Sequence, residues 1–89
     1  MKSRIDELLA EAIRAKQRPG SYGLLPDIIT ILEKIQNRLE SKNPEPKTLI
    51  RGASALGRVV TDDYSFSESP LGTKLLDLVS AIVSEYDTT

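Results

Sequence analysis

Apolar residues recur along this chain every three to four positions, in four segments separated by proline and glycine. In the first, about 4–18, Ile5, Leu8, Leu9, Ala12 and Ile13 follow the spacing of one helical face. Ser3 is placed to cap it, with Asp6 in its first turn, and Pro19-Gly20 ends it. The second, about 26–41, opens on Pro26 and carries Ile28, Ile31, Leu32, Ile35 and Leu39, with Ile29 widening the stripe. A stripe that wide predicts a helix touching two neighbours. Asn43-Pro44-Glu45-Pro46 separates it from the next segment.

The third segment, about 46–61, repeats Leu49, Ala53, Leu56 and Val60. It contains Gly52 and Gly57, each costing up to about 1 kcal/mol against alanine inside a helix. Gly57 lies on the apolar side beside Ala53, which predicts close approach of another backbone there. Ser69-Pro70 is an N-cap and first-turn pair for the fourth segment, about 70–86. Its face is Leu71, Leu75, Leu78, Val79, Ile82 and Tyr86, with Leu76 and Val83 at the edge, and 87–89 reads as a fraying end.

No segment alternates with period two. The pattern predicts one all-α domain over residues 1–89, a four-helix up-down-up-down antiparallel bundle. The alternative is an irregular orthogonal four-helix array, which the glycine-containing third helix would allow. The 89 residues suit one domain and are too few for two. With 12 Leu, 8 Ile and 4 Val against three Tyr and one Phe, the core must be branched aliphatic.

The chemistry is narrowed by what is missing. The chain has no Cys and no His, so no disulfide forms and the common nucleophile–base pairs have no members. A zinc site would need carboxylates alone, which is rare. No phosphate-cradling glycine loop is present. An Asp-Ser-Leu motif, at which carrier-protein bundles attach a prosthetic group, is also absent. The adjacent acids Asp62-Asp63 lack the calcium-loop pattern. The expectation is a protein without catalysis, metal or cofactor. The opening residues turn charged at once and no apolar stretch is long enough to span a bilayer, so a cytoplasmic location with no membrane partner is expected.

Three surfaces carry functional expectations. In an up-down bundle, loop 19–25 and loop 62–69 share one end. That brings together Tyr22, Tyr64 and Phe66, ringed by Asp62, Asp63 and Glu68 with Arg18 nearby. Aromatic centres with polar rims are typical of protein-binding hot spots, and this acidic rim suits a basic partner. The same rings would also serve as a plug closing the core. On the third helix, Lys47, Arg51 and Arg58 fall within about 40° at 100° per residue. They lie opposite the apolar face, beside Ser54, with no acid among them. Such a face can follow a phosphate backbone, although the net charge is −1 and the second break is longer than a helix-turn-helix turn. Finally, Leu76, Val83 and Ile29 would form a homodimer seam if the core does not absorb them. The functional expectation is a small regulatory or protein–protein interaction module docking through the aromatic end. Nucleic-acid binding through the third helix is the alternative.

Overall fold

The computed structural model describes residues 2–86, and the fraying expected over 87–89 lies outside them. Five helices occur among the described residues, and no strand: α1 (Lys2–Lys16), α2 (Leu25–Glu40), α3 (Pro46–Asp62), α4 (Tyr64–Ser67) and α5 (Pro70–Tyr86). The fold is all-α, as the periodicity predicts. The four long helices form a ring in which α1 packs on α2, α2 on α3, α3 on α5 and α5 on α1, and among the described residues no Cα pair comes within 8 Å across either diagonal.

Side-chain pairs fix the directions. Lys2 at the start of α1 meets Glu40 at the end of α2 at 3.4 Å, and Gln36 Nε2 donates to Asp6 at 2.6 Å. Lys74, in the second turn of α5, reaches Glu11 of α1 at 3.3 Å. Helix α1 therefore runs antiparallel to both α2 and α5.

The core is aliphatic with one aromatic. Ile5, Leu8, Ala12, Leu25, Ile28, Leu32, Ile35, Leu49, Ala53, Leu56, Val60, Leu71, Leu75, Leu78 and Ile82 are buried together with Phe66. Among the described residues no polar or charged side chain is buried, so packing alone closes the interior. Ile13 departs from the expected pattern. It is exposed, because α1 turns only Ile5, Leu8 and Ala12 fully inward.

Three local readings need correction. Helix α1 begins at Lys2, so Ser3 lies within the helix instead of capping it, and Asp6 moves out of the first turn to meet Gln36. The segment 62–69 is not an irregular loop. Asp63 Oδ1 accepts the Phe66 N–H at 3.1 Å, an N-cap that nucleates the single turn α4. The glycines also exchange roles. A Cβ on Gly57 would meet Val79 at an ordinary 3.5 Å, whereas one on Gly52 would stand only 3.0 Å from Ile35 Cγ1. The tight α2–α3 approach is therefore at Gly52.

The tightest position is Gly72, which periodicity does not single out. A Cβ there would fall 1.9 Å from the Phe66 carbonyl oxygen and 2.8 Å from its carbonyl carbon. Backbone cannot rotate away as a side-chain tip can. Gly72→Ala should therefore lower stability by more than about 2 kcal/mol, in the range of severe overpacking. Gly57→Ala should raise it by about 0.5–1 kcal/mol, since helix propensity improves and the space exists. Urea unfolding followed by circular dichroism measures both. Equal effects at the two positions would contradict this account of the α4–α5 corner.

Candidate functional site

The end of the bundle bearing the first and third connections is built around Phe66. Asp63 caps α4 from one side, and Ser69 closes it from the other. The Ser69 N–H donates to the Phe66 carbonyl at 2.9 Å, and the Ser69 hydroxyl donates to the same oxygen. That hydroxyl also accepts the Gly72 N–H at 3.1 Å, the N-cap expected for α5. One serine thus ends α4 and starts α5. The resulting corner drives Phe66 into the core.

The three aromatics expected at this end separate by role. Phe66 is 1% exposed. Its assignment to a partner-binding surface is therefore corrected: it is the plug, because the α4–α5 corner aims it between the helices. Tyr22 stands against it with ring centroids 5.0 Å apart and planes at 69°, an edge-to-face pair. Tyr22 remains 37% exposed, so it forms the outer layer of the plug. Tyr64 is 74% exposed, the most exposed large apolar side chain among the described residues. It lies on the outside of α4 and contributes nothing to the core.

The charged surroundings also divide. Asp62 and Glu68 are exposed on the flanks of α4. Asp63 is half-buried and engaged as the α4 cap, so its carboxylate is structural rather than part of an open rim. On the other side, a hollow of about 490 Å³ beneath Tyr22 is bordered by Arg14, Arg18, Pro70 and the Lys74–Glu11 pair. The rim is acidic beside Tyr64 and predominantly basic beside Tyr22, not acidic throughout.

A second concave surface lies at the opposite end of α3. An open groove of about 720 Å³ runs between the C-terminal half of α2 and the first turns of α3. Lys34, Arg38 and Arg51 border it, with Asn37, over a floor of Ile35, Leu49 and Gly52. Sequence periodicity on α3 identifies Arg51 but not its α2 neighbours, which only the packing of the two helices brings beside it. Of the expected basic stripe, Lys47, Arg51 and Arg58 are all exposed, and none forms an ion pair with a described residue.

The residues of the expected dimer seam lie on the flanks of α2 and α5. Ile29, Leu76 and Val83 are each half-buried, packed against the core on one side and partly accessible on the other. No three His, Cys, Asp or Glu side chains converge in a metal-binding geometry among the described residues. No described helix is long and apolar enough to cross a membrane. Comparison of the chain with models of protein families, with curated proteins and with solved structures finds no match.

The division of labour at this end has a measurable consequence. Phe66→Ala should cost about 3–5 kcal/mol, because it empties a fully enclosed site. Tyr64→Ala should change stability by less than about 0.5 kcal/mol, as expected for an exposed position without partners. Thermal and urea unfolding of the two variants distinguish the roles. Comparable losses at both positions would place Tyr64 in the core as well.

Proposed function

We propose that the protein is a small non-catalytic interaction module that docks a protein partner through the end formed by the α1–α2 connection and α4. The observation that carries this reading is Tyr64. A large aromatic side chain that the fold does not use is held outward on a turn that the fold fixes firmly. Exposed tyrosines on rigid supports supply contact area at little entropic cost, and they recur among the residues that dominate protein interfaces. Tyr22, half-exposed and backed by Phe66, offers a second aromatic surface.

The absence of His and Cys supports the non-catalytic part of the reading. Asp62 and Glu68 beside Tyr64 favour a basic partner patch on that flank. Partner recognition here would be a rigid-body event, since the docking turn is capped at both ends before any partner arrives.

The test compares quantitative capture of native-lysate proteins on immobilised wild-type chain, Tyr64→Ala and the Tyr22→Ala/Tyr64→Ala double variant. A specific partner should be recovered about tenfold less on Tyr64→Ala, the loss expected when an interface anchor worth about 1.4 kcal/mol is truncated. The melting temperature of Tyr64→Ala should stay unchanged. Equal recovery of every captured protein on all three surfaces would remove the aromatic end as the docking site of a tightly held partner.

A further inference from the structure

The cationic groove between α2 and α3 is not used by the reading above, yet its chemistry is specific. Lys34, Arg38 and Arg51 stand around it, and none has an ion-pair partner among the described residues. Its floor is apolar, Ile35 and Leu49 beside the backbone of Gly52. The aliphatic stems of the long basic side chains extend that apolar lining, while their charged heads stay in water. A groove with an apolar floor and cationic rim suits a side chain that is apolar at its centre and flanked by carboxylates. A bare phosphate backbone would use the rim and leave the floor empty.

The chain itself carries such a feature. Tyr64 is 74% exposed, with the exposed acids Asp62 and Glu68 on either side of it in sequence. Charge is divided to match. Residues 34–58 hold six cations and two acids, and one of those acids, Glu40, is paired with Lys2. Around Tyr64 the acids are Asp62, Asp63 and Glu68, while no acid lines the groove. The groove lies beside the first turns of α3 and Tyr64 just beyond its last, so the rod of α3, about 25 Å long, separates them. They cannot meet within one molecule.

We propose that the α2–α3 groove receives the Tyr64 end of a second copy of this chain, giving head-to-tail association. This rests on the reading of Tyr64 as a docking residue and names a partner for it. The contact is heterologous: one copy offers the groove and the other the acidic end, so each molecule keeps one free surface of each kind. Nine residues line the groove, far fewer than the roughly 20–30 per side of a stable complex. The association is therefore weak, with a dissociation constant of about 0.1–1 mM, and it depends on electrostatic attraction.

Sedimentation velocity on the purified chain, from about 0.02 to 2 mM, spans that range. At low salt the weight-average mass should rise with concentration beyond that of a dimer. At about 0.5 M salt, where screening shortens to a few ångströms, it should fall to the monomer. Two double variants separate the surfaces: Arg38→Glu/Arg51→Glu in the groove, and Asp62→Asn/Tyr64→Ser at the end. Circular dichroism verifies that both fold. Each alone should remain monomeric, while an equimolar mixture should form a one-to-one pair and nothing larger.

A wild-type chain that stays monomeric throughout would overturn the proposal, as would association that survives both double variants. Loss of association in the end variant but not in the groove variant would reject the groove as its receptor, yet leave Tyr64 as a docking residue. Loss in both variants without pairing in the mixture would also reject the head-to-tail arrangement. Micromolar binding of a short DNA duplex to a monomeric chain, abolished by the groove variant, would assign the groove to phosphate instead.

Discussion

The corner where α4 meets α5 carries the heaviest constraint in this fold. The Phe66 carbonyl lies where a Cβ on residue 72 would have to be, and the Ser69 hydroxyl bridges that carbonyl to the Gly72 N–H. A glycine, a serine and a proline thus set the angle at which the chain turns back after α3. That angle has two effects at once. It drives the only phenylalanine into an otherwise aliphatic core, and it leaves the neighbouring Tyr64 facing out. On so short a turn the two rings cannot both be buried. The geometry that satisfies packing therefore also creates the exposed aromatic.

Because every fully buried side chain among the described residues is apolar, charge is left entirely to the surface and is free to be distributed for other ends. Only two ion pairs form among the described residues, both on exposed side chains, and such pairs contribute little to stability. The accumulation of cations between residues 34 and 58, and of acids after residue 59, is consequently not a requirement of folding. Antiparallel packing of α2 on α3 concentrates it further, placing Lys34 and Arg38 beside Arg51. A near-neutral chain thus carries a cationic groove that its net charge conceals.

The long helices were legible because a 3.6-residue period recurs in each and proline or glycine punctuates every break. The all-α class follows from that period, and short connections bring Tyr22 to Phe66. What could not be read was anything decided by contact across the fold. The pattern around Gly57 suggested a close approach, but the tight contacts are at Gly52 and Gly72, each facing an atom distant from its own turn. Nothing in the local spacing distinguishes Tyr64 from Phe66 as surface and plug. Two residues on one turn point in different directions, and the choice is made by the Asp63 and Ser69 caps on either side. The α2 cations carry no signal in the sequence for the same reason: on α2 alone, Lys34 and Arg38 form an ordinary solvated face.

Burial and exposure are partitioned among the aromatics at this end of the molecule, but Tyr22 belongs to both. Its edge-on contact covers Phe66, and more than a third of its surface stays accessible. A partner that engaged Tyr22 would press on the plug itself, so binding there would reinforce the core. A partner on Tyr64 alone would leave the core unaffected, since that ring has no role in the packing. The separation of Tyr64 from Phe66, one exposed and one buried, follows from one backbone turn, which Ser69 and Gly72 hold in place.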